Sequence, residues 1–171
     1  MRAAVVTVSD RSFRGERPDV SGPVLKQLLE QTSAEVVELA IVPDESAIIA
    51  QALIRLADEQ RCEVIFTTGG TGLSPRDVTP EATRQVIDRE VPGMEAAILR
   101  ESLKQTPFAM LSRGVVGVRG HTLIVNVPGS PKAVEECFAV VEPVLAHAVK
   151  LLRDENPYAV SHPCHPSSCA H

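Results

Sequence analysis

Val64-Ile65-Phe66-Thr67-Thr68-Gly69-Gly70-Thr71-Gly72-Leu73-Ser74-Pro75-Arg76-Asp77 is the stretch that decides the fold. A short apolar run, partly β-branched, gives way to glycines and threonines, as a buried strand does where it ends in a turn of bare backbone. Because Gly69, Gly70 and Gly72 lack a Cβ, successive N–H groups of this turn are free to converge on one concavity, and such nests attract phosphate or carboxylate oxygens. Thr68 and Thr71 add hydroxyl donors. Asp77 breaks the pattern, because a carboxylate beside an anion site repels the ligand unless it holds a bridging cation or positions a nucleophile. Arg76 stands where it offsets that charge. A tight strand-to-helix turn with a solvated Arg-Asp pair has the same letters, so the flanking chain must separate the two readings.

Upstream, Val5 to Ser9 alternates and is rich in β-branched residues, a first strand that ends in the polar loop Ser9-Asp10-Arg11-Ser12-Phe13-Arg14-Gly15. If this strand runs parallel to Val64–Thr68, both carboxyl ends lie on one edge of the sheet, where open α/β folds bind ligands. Ser9, Asp10 and Arg14 then face the glycine turn; a solvated surface loop is the alternative for Arg11 and Arg14. Ser21 is placed to cap a helix that carries Pro23 in its first turn, packs Val24, Leu25, Leu28 and Leu29, and runs to about Gln31. Residues 35–42 form a second strand stopped by Pro43. Residues 45–59 put Ile48, Ile49, Ala52, Leu53, Leu56 and Ala57 on one helical stripe, with Asp44 at the N-cap position. Asp44 is also a strand-end carboxylate, and two such groups from different strands beside an anion nest would make a divalent metal site.

Downstream, Thr79-Pro80-Glu81 opens a short helix through Ile87, and Val91-Pro92-Gly93 breaks into another that ends near Thr106. Glycines 114, 117 and 120 fit a small hairpin around Val115–Val118. Residues 122–127 are a strand, and Pro128-Gly129-Ser130-Pro131 turns into a last helix from Lys132 to about Leu151, which buries Val134, Phe138, Val141, Leu145 and Val149. Pro143 should kink or divide that helix. Strand and helix alternate through most of the chain, which predicts a single α/β domain of three layers, a mostly parallel central sheet flanked by helices.

Composition bounds the function. The chain has 171 residues, enough for one domain with a real core, and 44% hydrophobic with 23% charged residues rules out general disorder. Its net charge of −5 and lack of a basic run argue against nucleic acid as a partner. No apolar run approaches the ~18 residues of a membrane span and the start has no secretory pattern, so a cytoplasmic protein without membrane attachment is expected. Cys62 and Cys137 read as small buried hydrophobes. Residues 1–155 would make the domain. Residues 156–171 form a Pro/His/Cys-rich tail expected to be flexible, in which His162, Cys164, His165, Cys169 and His171 offer soft and borderline metal ligands.

A Walker loop is excluded, since no Lys-Ser/Thr follows Gly72, and the dinucleotide fingerprint is absent. The set Thr67-Thr68-Gly69-Gly70-Thr71-Gly72, Arg76-Asp77-Val78-Thr79-Pro80-Glu81, Pro92-Gly93, Leu111-Ser112-Arg113 and Asn126-Val127-Pro128-Gly129-Ser130-Pro131-Lys132 resembles the molybdopterin adenylyltransferase family, the MogA/MoaB group of molybdenum cofactor biosynthesis. Val8-Ser9-Asp10 and Pro43-Asp44-Glu45 match that pattern in order and approximate spacing, and the resemblance covers roughly residues 1–152.

The resemblance implies a trimeric α/β domain that transfers AMP from ATP, with Mg2+, to the terminal phosphate of molybdopterin and releases pyrophosphate. Asp44 and Asp77 would be the catalytic acids and hold the metal through the ATP phosphates. Gly69 to Gly72 would line the pterin phosphate site, and Ser112, Asn126, Pro128, Gly129 and Ser130 would complete the pocket, with Ser9, Asp10, Thr68 and Arg113 as further substrate contacts. The product would pass to a separate MoeA-like molybdenum insertase, and the Cys/His tail has no counterpart in the motif set. His121 and His147 are expected to be structural or exposed. Two other functions fit the same letters: a pterin-binding carrier of this fold without turnover, and a metal-handling protein that works through its tail.

Overall fold

In the computed structural model, residues 1–153 are described, so the tail and its candidate ligands lie outside the described residues. Six strands form one sheet in the order β2-β1-β3-β6-β5-β4. β1 (Arg2–Val8), β2 (Glu35–Val42), β3 (Val64–Thr68) and β6 (Thr122–Val127) are mutually parallel. β5 (Val116–Arg119) returns antiparallel to β6 as the expected small hairpin, and the two-residue β4 (Arg89–Glu90), which no sequence pattern marked, pairs antiparallel with β5. The sheet is therefore mixed, with a parallel centre.

Every residue of β3 is buried, and its neighbours β1 and β6 cover both of its edges. Alternate residues of these strands enter different cores, as the period of two requires. Val5, Phe66 and Val125 pack under α2 (Ser21–Gln31) and α6 (Pro131–Leu152), with α5 (Pro92–Gln105) resting against that layer. Val6, Ile65 and Ile124 pack under α3 (Ser46–Ile54) and α4 (Thr79–Val86). Three layers result, and both faces of the central strands are dry. Truncating Phe66, which stacks on Phe138 at 5.6 Å between centroids, belongs to the costliest class of core change, about 3–5 kcal/mol.

Several local expectations are corrected. The loop after β1 opens as a short helix, α1 (Asp10–Phe13), because Ser9 Oγ accepts the N–H of Ser12. Asp19 rather than Ser21 caps α2: its carboxylate accepts the Gly22 N–H at 3.1 Å and the Ser21 hydroxyl. α3 stops at Ile54, and residues 55–59 continue as one π-helical turn. α6 runs unbroken for 22 residues through Pro143, which lies on its exposed face. Cys62 and Cys137 are buried free thiols, and burial pushes Cys62 up to about 11, which keeps it an inert thiol. No described helix is long and apolar enough to cross a membrane.

Candidate active site

The four parallel strands end on the same edge, and each delivers a loop to it. In spatial order they bring Asp44 after β2, Ser9 and Asp10 after β1, the glycine turn after β3, and Pro128-Gly129-Ser130 after β6. Gly69 and Gly70 both adopt left-handed backbone, φ 96° and 63°. A Cβ on Gly69 would strike the Val8 carbonyl, and one on Gly70 would strike Thr79 Oγ1 and lie 3.1 Å from Asp44 Oδ1. Glycine is required here by conformation and by space together. Thr79, fully buried at the start of α4, fixes the turn by donating its hydroxyl to Gly69 O at 2.9 Å and its N–H to Gly70 O at 3.1 Å. Gly69 donates its own N–H to Val127 O. The N–H groups of Gly70, Thr71 and Gly72 find no acceptor among the described residues. They remain for a ligand.

Two clefts meet at this turn. The larger, about 850 Å³, opens between the turn, α5 and α6 and is largely apolar deeper in, with Ile98, Leu99 and Val116 in its wall; Ser112, Pro128, Gly129 and Ser130 lie along it. The smaller, about 310 Å³, is polar and holds Ser9, Thr68, Asp44 and Asp19. Gly69, Gly70, Asp77 and Gly129 line both.

Asp44 is not a helix cap. Its Oδ2 accepts the N–H of Asp10 at 2.8 Å, and its own N–H donates to Asp10 Oδ1 at 3.0 Å, so the two residues clasp each other across 34 positions of chain. Its Oδ1 takes no hydrogen bond from the described residues and faces Gly70. Burial pushes the Asp44 carboxyl above its ordinary value; the Asp10 N–H pulls against this, and the charges of Asp10 and Asp77 push with it. Asp77 likewise commits Oδ2 to a main-chain N–H, that of Ser74 at 3.0 Å, and lies beside Gly72. Neither carboxylate has a cationic partner among the ion pairs of the described residues. Asp44, from the loop after β2, and Asp77, from the glycine loop itself, thus lie against the turn, each with one oxygen tethered and one left over. Among the described residues no group of three or more His, Cys, Asp or Glu side chains forms a self-sufficient metal cage. A pair of carboxylates suits Mg2+, which binds through one or two carboxylates together with substrate phosphates and keeps several waters.

Other expected contacts have different partners. Asp10 lines neither cleft, since Arg76 grips its carboxylate with three hydrogen bonds of 2.7–3.0 Å. Arg14 turns to Glu16 at 2.6 Å and is half exposed, so it does not face the turn. Thr68 spends its hydroxyl on Pro128 O at 2.9 Å and serves as a brace between two loops. Asn126, 3% exposed, gives both amide hydrogens to Thr67 and Thr83 and accepts the Val115 N–H, which leaves no donor for a substrate. Arg113 clamps the glycine loop by donating to Gly72 O at 2.8 Å and Asp77 O at 2.7 Å, and it pairs with Glu81. It shapes the site through the backbone that carries Asp77. Sequence reasoning missed Asp19, which receives the Thr7 hydroxyl at 2.7 Å, and the bracing hydroxyl of Thr79. A Thr directly before a helix-opening Pro was the signal for the second.

Comparison with known proteins identifies the family. The profile of the family described as "Probable molybdopterin binding domain" matches residues 4–147. A molybdopterin adenylyltransferase of Helicobacter pylori is 39% identical over 150 residues, 86% of this chain and 85% of that protein. The molybdenum cofactor synthesis protein cinnamon of Drosophila melanogaster is 50% identical over 152 residues, but those are 88% of this chain and 25% of the Drosophila protein. The chain therefore spans about a quarter of one such relative and most of the other. The crystal structure of the molybdopterin biosynthesis enzyme MoaB from Thermus thermophilus superposes with a TM-score of 0.84 at 48% identity, over 90% of this chain and 96% of that one. With the family profile covering the glycine turn, both aspartates and nearly all of the parallel strands, the chain belongs to the molybdopterin-binding family of molybdenum cofactor biosynthesis.

Proposed function

We propose that this chain is a molybdopterin adenylyltransferase, joining the AMP of ATP to the terminal phosphate of molybdopterin and releasing pyrophosphate. One observation carries the reading. Two carboxylates without cationic partners among the described residues, Asp44 and Asp77, stand against a turn in which the N–H groups of Gly70, Thr71 and Gly72 lack acceptors there, so a cation site abuts an anion cradle. A carrier has no use for a half-buried carboxylate beside another negative charge.

In this reading a terminal phosphate oxygen of the pterin attacks the α-phosphorus of ATP. The new P–O bond forms as the α,β-bridging P–O bond breaks, and its electron pair leaves with pyrophosphate. No general base is needed, because a phosphate monoester has a second pKa of about 6 and is ionised at neutral pH. The N–H groups of Gly70, Thr71 and Gly72 hold phosphate oxygens, and the left-handed backbone at Gly69 and Gly70 aims them before the substrate arrives. The larger cleft takes the ring system of the pterin. Asp44 and Asp77 would hold Mg2+ with the nucleotide phosphates, and the ion would neutralise the charge that gathers on the leaving group. Thr79 and Arg113 keep the loop rigid, so positioning rather than proton transfer supplies the rate.

The protein works as a homotrimer in the cytoplasm and passes its product to a MoeA-like insertase. Support for assembly comes from α5, which buries no residue fully and continues into an edge where Phe108 is 75% and Met110 67% exposed. Incubation of the purified protein with molybdopterin, ATP and MgCl2 should yield adenylylated pterin and pyrophosphate in equal amounts. Tight pterin binding with no pyrophosphate would overturn the reading in favour of the carrier.

A further inference from the structure

The two carboxylates of the cation site come from different loops. Asp44 sits after β2, Asp77 after β3, and the charge of Asp77 acts on Asp44. Between them stands the loop after β1, whose Asp10 joins Asp44 by two reciprocal bonds, carboxylate to N–H in each direction. The same Asp10 carboxylate is gripped on its other side by Arg76, through Nε to Oδ2 at 3.0 Å and Nη2 to Oδ1 and Oδ2 at 3.0 and 2.7 Å. Arg76 is the immediate neighbour of Asp77. Among the described residues no other ion pair joins the β1 loop to the glycine loop. The path Asp77-loop, Arg76, Asp10, Asp44 is continuous.

An ion pair on a surface ordinarily contributes little, because two long side chains must be ordered in high dielectric. This one differs in geometry. Asp10 is short and held by the Asp44 N–H, its side chain is 22% exposed, and the guanidinium meets it as a planar fork. The expected use of Asp10 as a substrate contact does not fit, since it lines neither cleft.

We propose that Arg76 and Asp10 are positioning residues for the cation site: Arg76 ties the Asp77 loop to Asp10, and Asp10 fixes the orientation of Asp44, so that both free carboxylate oxygens meet one ion. This rests on the adenylyl-transfer reading for its purpose, although the geometry it sets is measurable without turnover. Asp10→Asn keeps an acceptor for the Asp44 N–H and removes the ion pair; Arg76→Ala removes the pair from the other side. Both act on one link, so their effects should not add.

The test is Mn2+ titration, followed by the electron paramagnetic resonance signal of free Mn2+, in the presence of α,β-methylene-ATP. It uses the full chain as wild type, Asp10→Asn, Arg76→Ala, Arg76→Lys and the double variant. Removal of a group that orients a metal ligand weakens binding by about tenfold or more. Each single loss should do so here, the double variant should be no weaker than the weaker single, and Arg76→Lys should recover part of the affinity. Molybdopterin binding, read by quenching of pterin fluorescence, should stay unchanged and shows that each variant is folded. Mn2+ affinity unchanged in Arg76→Ala, or losses that multiply in the double variant, would overturn the positioning role. Wild-type Mn2+ binding with this mutational pattern, but no adenylylated product once ATP and Mg2+ replace the analogue, would instead sink the adenylyl-transfer reading and leave the positioning role standing.

Discussion

The two ends of the parallel sheet treat carboxylates in opposite ways. At the amino ends of the strands, two acids have cations: Glu63 receives Arg153 and the Arg2 N–H, and Asp58 a two-pronged Arg119. His121, on the turn between β5 and β6, meets the Leu152 carbonyl there. At the carboxyl ends, Asp10 has Arg76, but Asp44 and Asp77 receive main-chain N–H groups and, among the described residues, no cation, while a neighbouring turn withholds its own donors from the protein. The matched end is what folding alone produces. The unmatched end keeps negative charge and bare N–H groups in contact, an arrangement that becomes favourable only when a cation and an anion arrive together.

The contrast is broken most severely by Asp44→Asn, which removes charge from the unmatched end. Turnover should fall by roughly a hundredfold or more, the scale for loss of one preorganised charge-stabilising group, with molybdopterin affinity kept or improved; steady-state kinetics and pterin titration measure the two separately. Gly70→Ala should also abolish most turnover, because its Cβ meets Thr79 and Asp44 as well as the left-handed strain. Gly15→Ala is its control. The φ there is 73° with open space around it, so it should lose about 1–2 kcal/mol of stability in thermal unfolding and little activity.

A pH titration sharpens the comparison. Asp44 is raised above the ordinary 3.8, so between 3.8 and its folded value the native state binds more protons than the unfolded chain, and stability falls as pH rises through that window. The carboxyl carbon of Asp44, followed by NMR, should titrate above 3.8, and Asp77→Asn should lower its midpoint by removing a like charge. Asp10 behaves oppositely. Arg76 holds it below its ordinary value, so the stability it contributes is present above 3.8 and lost as pH falls through the lower, folded value. The smallest effect belongs to the amino ends of the strands, where Glu35→Ala removes only a 3.6 Å pair of exposed side chains with Arg2 and should change stability by less than about 1 kcal/mol in denaturant titration and leave kcat and KM alone.

The fold was legible because β3 and its glycine turn show the two periods and the break between them in consecutive residues. The hairpin and the start of α4 followed from glycine and proline placement. β4 was invisible, since two exposed residues carry no pattern, and the unbroken α6 was missed because Pro143 falls on a face where the lost hydrogen bond is open to water. At the site, chemistry was more legible than partnership. Strand-end position marked Asp44 and Asp77, whereas Asn126, Thr68 and Arg113 look like ligand contacts until their bonds are traced to the backbone around the turn. Residue type reveals what a group is able to donate. Only the fold reveals whether the donation is already made.

Crystals grown with Mn2+, α,β-methylene-ATP and molybdopterin test the central claim most directly, through anomalous scattering from the metal. The account predicts one Mn2+ between the carboxylates of Asp44 and Asp77, with phosphate oxygens on the N–H groups of Gly70 to Gly72. A metal bound without either aspartate, or phosphates seated away from the glycine turn, would contradict it.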